Sequence, residues 1–198
     1  MRIKCFATLV VLSFALGGTA AAAVPDAATG CAACHGEAGV SQRSDIPTIA
    51  GFSAFYLEGQ MLAYQEGDRP CAKVEGDDGQ TADMCEIAKA LTADQIAEVS
   101  AYFAGQDFVA ADQPVDATLA AKGKAVHERR CELCHTEGGS FADDDAGLLA
   151  GQWKPYLLAT LAEYRSGKRL EPEKMKPQTA ALSEDEIKAL VEFYASQK

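Results

Sequence analysis

Apolar residues recur at helical spacing along most of this 198-residue chain. Residues 53–66 and 154–166 each place apolar side chains on a helical repeat, and the two segments stop near Gly67 and Gly167. No segment of any length alternates apolar and polar residues as a half-buried strand does. The pattern therefore predicts an all-α protein.

Three further segments have the features of helix starts. Thr92 and Ser183 are each followed within one turn by acidic residues, as the N-caps of helices often are. Residues 116–130 form another predicted helix, which leads into a cysteine-containing motif. We therefore expect the last helix of each half of the chain to begin after Thr92 or Ser183.

The second half of the chain repeats the first. At an offset of 100, Ala50-Gly51, Tyr56-Leu57, Tyr64, Gly67 and Arg69 recur as Ala150-Gly151, Tyr156-Leu157, Tyr164, Gly167 and Arg169. At an offset of 91, Met84, Leu91, Asp94 and Ile96 recur as Met175, Leu182, Asp185 and Ile187. The chain is thus an internal duplication, and its first copy has nine extra residues between Arg69 and Met84.

The chain is predicted to divide into four parts. Residues 1–23 have the basic start, short apolar core and small-residue end of a secretory signal peptide. Residues 24–106 form a first domain, residues 107–115 a linker, and residues 116–198 a second domain. No later apolar run reaches membrane-spanning length, so we expect a periplasmic protein without a membrane span.

Acidic residues outnumber basic ones by 29 to 18, which gives a formal net charge of −11. Residues 24–112 hold 15 acidic and 4 basic residues, whereas residues 113–198 hold 14 and 12. Such a chain is poorly suited to nucleic acid or anionic membranes, and we expect a protein partner with positive charge. The unequal charge of the two halves suits a carrier that meets a different partner at each end. The alternative explanation is neutral drift of charges on solvated surfaces.

Two copies of one motif carry the candidate chemistry. Cysteines three positions apart are followed directly by a histidine, at Cys31, Cys34 and His35 and again at Cys131, Cys134 and His135. This spacing is the attachment signature of a c-type haem: the thiols bond to the vinyl groups and the histidine binds the iron. A zinc half-site or a redox dithiol is the alternative, but two copies within a repeat favour two covalently bound haem c groups.

A sixth iron ligand is expected from elsewhere in each copy. Met84 and Met175 occupy equivalent positions in irregular stretches, and we predict that they bind the two irons. Met61 lies within a predicted helix and has Leu161 as its counterpart, so it is predicted to fill the core. Methionine ligation favours ferrous iron and closes the site, which suits electron transfer rather than the binding of oxygen or peroxide.

Cys71 and Cys85 bracket the extra residues of the first copy. In an oxidising compartment we predict a disulfide between them, which would hold the neighbouring Met84 and stabilise the fold by about 3 kcal/mol. Two unpaired thiols, or a soft-metal site completed by a methionine, are the alternatives. Elsewhere, His127 precedes Cys131 by one turn and is predicted to be a surface histidine, with a place beside the second haem as the alternative.

Over its whole mature length the chain resembles the dihaem cytochromes of the cytochrome c4 type. The first copy carries this resemblance in the motif with Gly36, in Ala50-Gly51 and Tyr56-Leu57, and in residues 67–69. The second copy is similar to one branch, the cytochrome subunit of flavocytochrome c sulfide dehydrogenase. The matching segments are residues 131–139, 149–157, 173–175 and 193–197. The insertion between Cys71 and Cys85 departs from the family pattern.

The resemblance implies two tandem class I cytochrome c domains related by a pseudo-two-fold axis. It also implies that the carbonyl of Pro47 orients His35, and Gly147 stands at the equivalent place in the second copy. The implied function is that of a haem subunit that accepts electrons from a separate FAD-containing sulfide dehydrogenase and passes them to a downstream acceptor. A free-standing carrier to a terminal oxidase is the alternative, and the two methionines disfavour a dihaem peroxidase.

Overall fold

The computed structural model describes residues 23–198, so residues 1–22 of the predicted signal peptide lie outside the described residues. The helices of the described part are α1 (Ala32–His35), α2 (Ala54–Glu66), α3 (Met84–Ala90), α4 (Ala93–Ala104), α5 (Ala117–Arg130), α6 (Thr136–Gly139), α7 (Lys154–Arg165), α8 (Lys176–Ala180) and α9 (Glu184–Ser196). Three 3₁₀ turns, Asp26–Cys31, Glu37–Gly39 and Ala142–Asp144, complete the helical structure of this range. None of the described helices has the length and apolar character needed to cross a membrane.

The predicted helix starts are confirmed. Thr92 and Ser183 each form a reciprocal capping box, with Gln95 and Glu186 respectively. The carboxylate of Asp116 accepts two backbone N–H bonds at the start of α5. Local sequence therefore sets where these helices begin, and it does so in the same way in both halves of the chain.

Each half of the chain packs its helices around its own buried cluster. In the first half, α2 packs against α3 and α4. In the second half, α5 and α7 both pack against α9. The first cluster consists of Ala28, Val99 and Phe103, and the second of Val126, Leu157, Leu182, Ile187, Leu190, Val191, Phe193 and Tyr194. The described chain is thus two small helical domains, each with its core beside an attachment motif.

The insertion of the first copy forms a small hairpin. Strands β1 (Val74–Glu75) and β2 (Thr81–Ala82) pair antiparallel within the segment that Cys71 and Cys85 bracket. The backbone N–H of Asp77 donates to the carbonyl of Ala33 at 2.7 Å. The hairpin therefore lies directly against the first attachment motif, which gives the two motifs different surroundings.

The two domains meet on a shared interface. The side chain of Gln152 is fully buried, and its Oε1 accepts from the backbone N–H of Thr48 at 3.2 Å. Its Nε2 donates to the carbonyl of Thr48 at 2.7 Å. The indole N–H of Trp153 donates to the carbonyl of Ser41 at 3.1 Å. The second domain thereby holds the loop that follows the first attachment motif.

The linker runs between the two Ala-Gly turns of the repeat. A Cβ atom at Gly51 would lie 2.9 Å from the Cβ of Phe108, and one at Gly151 would lie 2.7 Å from the Cβ of Ala110. The N–H of Ala111 donates to the carbonyl of Gly151 at 2.8 Å. Because the linker is bonded and packed on both sides, it forms part of the interface.

A close helix crossing provides a test of this packing. A Cβ atom at Gly123 in α5 would lie 1.9 Å from the carbonyl oxygen of Ala189 in α9, whereas one at Gly59 in α2 would meet nothing within 4 Å. We expect Gly123→Ala to lower the free energy of unfolding by about 1–3 kcal/mol or more, because the helices have to separate. We expect Gly59→Ala to raise it by about 0.5–1 kcal/mol.

Denaturant unfolding of the haem-loaded protein measures both changes. Gly59→Ala is the control for the helix propensity of alanine, which the two substitutions share. If Gly123→Ala were as stable as Gly59→Ala, the close contact between α5 and α9 would be wrong.

Candidate haem sites

The first attachment motif forms a short helix. Cys31 ends a 3₁₀ turn, and Cys34 and His35 lie in α1, so the two thiols are separated by one helical turn. Gly36 ends this helix with a φ of 76°, and a Cβ there would lie 2.1 Å from the carbonyl oxygen of Val40. Only glycine fits this position, because the chain turns back sharply after the histidine.

His35 is held in one orientation. Its side chain is buried, and Nδ1 lies 2.9 Å from the carbonyl oxygen of Pro47. Since a carbonyl can only accept, Nδ1 carries the proton and Nε2 is left as the iron-binding atom. Burial lowers the pKa of His35, and this outweighs the opposing effect of the Pro47 carbonyl. The ring is therefore neutral, which is the form that binds a metal.

The second attachment motif is a tight turn. The N–H groups of Cys134 and His135 both donate to the carbonyl of Cys131, at 3.1 and 3.0 Å. Burial lowers the pKa of His135, and the nearby carbonyl of Gly147 opposes that change. Nδ1 of His135 is buried without a hydrogen-bond partner, so the Gly147 carbonyl lies near the ring but does not accept a hydrogen bond from it. The second histidine is thus less firmly oriented than the first.

The interface explains why glycine replaces proline in the second copy. A Cβ atom at Gly147 would lie 2.6 Å from the hydroxyl oxygen of Tyr56, which belongs to the first domain. The space that the ring of Pro47 takes in the first copy is therefore occupied by a tyrosine of the other domain in the second copy.

The two candidate methionines occupy equivalent places. Met84 is the first residue of α3, and Met175 directly precedes α8. In each domain this short helix packs against the long helix before it, α2 or α7. Both methionines are partly buried. Met61 lies inside α2, away from any helix end. The sequence repeat therefore has a structural counterpart at the positions expected to supply the sixth ligand.

A disulfide joins Cys71 to Cys85, with their Cα atoms 5.9 Å apart. Asp83 lies close to the two sulfur atoms, but a disulfide has no thiolate to offer a soft metal. Because Cys85 directly follows Met84, the disulfide ties the start of α3 to the segment after Arg69. The disulfide therefore anchors the hairpin at both ends and also holds the candidate ligand Met84 in place.

The prediction that His127 is a surface histidine is wrong. It is 1% exposed, because α5 turns this face toward α9. Its Nδ1 lies 3.0 Å from the hydroxyl of Tyr194, and its Nε2 contacts the carboxylate of Glu132 within the second motif. One feature of the sequence indicates this contact: Glu132 lies five residues after His127, just beyond the end of α5.

The donor set fits haem c. In the described range the free cysteines are Cys31, Cys34, Cys131 and Cys134, the four residues that would form the thioether bonds. His35 and His135 are buried or partly buried and neutral, as proximal ligands would be. Haem c, when bound, supplies reversible one-electron chemistry at its iron.

Two helical domains, each with an attachment motif and a candidate methionine, define a tandem dihaem cytochrome c. Residues 21–106 match the family model described as cytochrome c, and residues 118–193 match that described as cytochrome C oxidase, cbb3-type, subunit III. The chain is 33% identical over 202 residues to cytochrome c4 of Azotobacter vinelandii, which covers 93% of this chain and 96% of that protein. It belongs to the cytochrome c4 family.

Two further likenesses are to a solved structure and to another curated protein. The crystal structure of reduced recombinant cytochrome c4 from Pseudomonas stutzeri superposes with a TM-score of 0.71 at 25% identity, covering 86% of this chain and 95% of that one. A thiosulfate dehydrogenase electron acceptor of Thiomonas intermedia is 28% identical, covering 85% of this chain and 77% of that protein. The predictions of an all-α fold with two tandem cytochrome c domains and two covalent haem c groups are confirmed.

Replacing a candidate sixth ligand tests its role. We expect Met175→Ala to open the second iron to added imidazole or carbon monoxide and to lower its midpoint potential, because the thioether that favours ferrous iron is lost. The control is Met61→Leu, which installs the residue found at the equivalent position 161. Ligand-binding spectra and redox titration measure both effects. A Met175→Ala protein that behaves like Met61→Leu would show that Met175 only fills the core.

Proposed function

We propose that this cytochrome c4-type electron carrier works in the periplasm as the haem subunit of a flavoprotein sulfide dehydrogenase. In this proposal an FAD-containing subunit oxidises sulfide, and the present chain accepts its electrons and delivers them to a downstream acceptor. The similarity of residues 131–139 and 149–157 to that branch of the family supports the proposal. The thiosulfate dehydrogenase electron acceptor among its relatives also supports a donor that oxidises a sulfur compound.

The proposal assigns a role to each candidate residue. Residues 1–23 direct export, residues 24–106 and 116–198 are the two domains, and residues 107–115 join them. The thioether bonds are formed by Cys31, Cys34, Cys131 and Cys134, and the axial ligands are His35, Met84, His135 and Met175. With both axial positions filled, the chain carries electrons and does not bind substrate.

The observation that carries the proposal is the difference between the two attachment surfaces. Burial raises the pKa of Cys34, the guanidinium of Arg43 opposes that rise, and the carboxylates of Asp78, Asp77 and Asp45 add to it. Two of these carboxylates belong to the hairpin that packs on the first motif. At the second motif the side chain of Leu133 is 92% exposed, and the ring of Phe141 is 42% exposed. The first motif thus has hairpin carboxylates beside it, and the second has two exposed apolar side chains nearby.

These surfaces suit different kinds of contact. Charged surfaces speed encounters between partners that meet briefly, and salt weakens that effect over about 10 Å at 0.1 M. Apolar residues are typical of the centre of a lasting interface. We therefore assign the flavoprotein to the surface around Leu133 and the transient acceptor to the acidic surface around Cys34.

A free-standing carrier to a terminal oxidase is the second candidate. It is supported by full-length similarity to cytochrome c4, since the relatives of that name match 93% of this chain. In that case both partners would be transient, and neither surface would hold a permanent subunit.

The salt dependence of the two electron-transfer steps separates the candidates. We expect reduction by the flavoprotein to be nearly independent of salt, because an assembled apolar interface is little screened. We expect oxidation by the acceptor to slow markedly as salt rises. Stopped-flow absorbance follows the two steps separately.

Two variants test the two surfaces separately, and each is the control for the other. A double variant, Asp77→Asn with Asp78→Asn, should weaken the salt dependence of the outgoing step alone. Leu133→Asn should weaken co-purification with the flavoprotein alone. If the flavoprotein step collapses at high salt while the complex dissociates, the chain is a mobile carrier and the subunit assignment is wrong.

A further inference from the structure

The peptide group between Pro47 and Thr48 connects the first histidine to the second domain. Its carbonyl accepts a hydrogen bond from Nδ1 of His35 at 2.9 Å. Its N–H donates to Oε1 of Gln152 at 3.2 Å. Because this peptide bond is trans, its C=O and N–H point in opposite directions. A continuous chain of hydrogen bonds therefore runs from His35, through one peptide group, to an amide of the other domain.

The amide of Gln152 is fixed in one orientation. The side chain is fully buried, and its Nε2 donates to the carbonyl of Thr48 at 2.7 Å while its Oε1 accepts from the N–H of the same residue. Rotating the amide by half a turn would set donor against donor and acceptor against acceptor. The backbone carbonyl of Gln152 accepts from Nε2 of Gln113 in the linker, at 2.7 Å. The second domain and the linker thus determine where this amide lies.

The loop before Thr48 is held by the same part of the second domain. The N–H of Ser41 donates to Oγ1 of Thr48 at 3.2 Å, and both residues are 2% exposed. The carbonyl of Ser41 accepts from the indole N–H of Trp153 at 3.1 Å. Two consecutive residues, Gln152 and Trp153, therefore hold the two ends of the loop that carries Pro47.

The repeat provides an internal comparison. At the offset of 100, Phe52 corresponds to Gln152 and Leu148 corresponds to Thr48. A phenyl ring has no oxygen to accept a peptide N–H, so Phe52 cannot do what Gln152 does. In this second copy Nδ1 of His135 is buried without a partner. The copy that lacks the amide is thus the copy in which the histidine is not hydrogen-bonded.

Hydrogen bonds at the two ends of one peptide group strengthen each other. An acceptor on the N–H draws electron density toward the carbonyl oxygen, which then accepts more strongly from the next donor. A stronger bond from Nδ1 of His35 makes the other ring nitrogen more basic. A more basic ligand favours ferric iron and lowers the midpoint potential.

We propose that Gln152 is a positioning residue for the haem of the opposite domain. It holds and polarises the peptide between Pro47 and Thr48, and through His35 it keeps the potential of the first haem lower than the first domain alone would set it. Gln152 acts through this peptide group and does not bind the iron. The proposal depends on the haem c groups of the family and not on either proposed partner protein.

The test removes the amide from the full, haem-loaded chain. Gln152→Met has nearly the same length and loses both bonds to Thr48. We expect the potential of the first haem to rise, and the Nδ1 proton of His35 to exchange with solvent about three- to tenfold faster, because its acceptor is less firmly held.

Gln113→Met is the matched control. The amide of Gln113 also makes two bonds, to the carbonyl of Gln152 and the N–H of Lys154, but neither reaches the first domain. We expect this variant to keep the potential of the first haem and the exchange rate of the His35 proton. If Gln113→Met and Gln152→Met gave equal changes, the effect would come from general loosening of the junction, and the proposal would be wrong.

Labelled histidine separates the two haems. The chain has three histidines, so ¹⁵N-histidine labelling gives few ring signals, and those of His35 and His135 follow the oxidation of their own irons. A redox titration followed by NMR therefore gives one potential for each haem. We expect Gln152→Met to shift the first potential more than the second. An equal shift of both haems, a larger shift of the second, or no shift would overturn the proposal.

A wild-type measurement covers the case in which Gln152→Met fails to fold or to load two haems. In the ferrous protein, hydrogen exchange is followed at denaturant concentrations below the unfolding transition. The Nδ1 proton of His35 and the N–H of Thr48 should exchange through one shared opening, with the same dependence on denaturant. If the His35 proton exchanged freely while the Thr48 N–H stayed protected, the two bonds would be independent, which would contradict the proposal.

Discussion

The buried amide of Gln152 links the assembly of the two domains to the orientation of a haem ligand. Both of its polar atoms bond to the backbone of Thr48, and the preceding residue, Pro47, offers its carbonyl to His35. Because Thr48 belongs to the first domain and Gln152 to the second, separating the domains would break both bonds and release the loop that holds the first histidine. In the second domain, Tyr56 of the first domain fills the space beside Gly147, whose carbonyl lies near His135.

The duplication is kept at the helix caps, and the two copies differ at the domain interface and at the hairpin. The same capping boxes begin α4 and α9, and the same glycine turns carry the linker. The departures are Gly147 in place of a proline, Gln60 in place of a threonine, and the hairpin that only the first copy has. Tyr56 of the first copy occupies the space beside Gly147 of the second, where the first copy has Pro47, so the two copies differ at this contact.

Sequence reasoning succeeded where the determinants are local. The attachment motifs, the helix caps and the repeat each depend on residues a few positions apart, and these features gave the fold class and the cofactor. It failed for His127, whose burial depends on how α5 faces α9, and for the hairpin, whose two-residue strands are too short to show alternation. Gln152, Arg69 and Arg169 each have a hydrogen-bond partner in the other domain, and no local pattern could indicate these contacts.

The interface and the outer surface of this chain place different constraints on substitution. A change at Gln152 or Tyr56 would disturb a histidine in the opposite domain, so the inner contacts constrain one another. The hairpin and the turn at Leu133 face outward, and the disulfide lets the hairpin vary without loosening Met84. Partner choice can therefore change while the inner arrangement of the two domains stays fixed. Similarity over 93% of the chain identifies the family, and the surfaces around Cys34 and Leu133 are the outward-facing parts of the two attachment motifs.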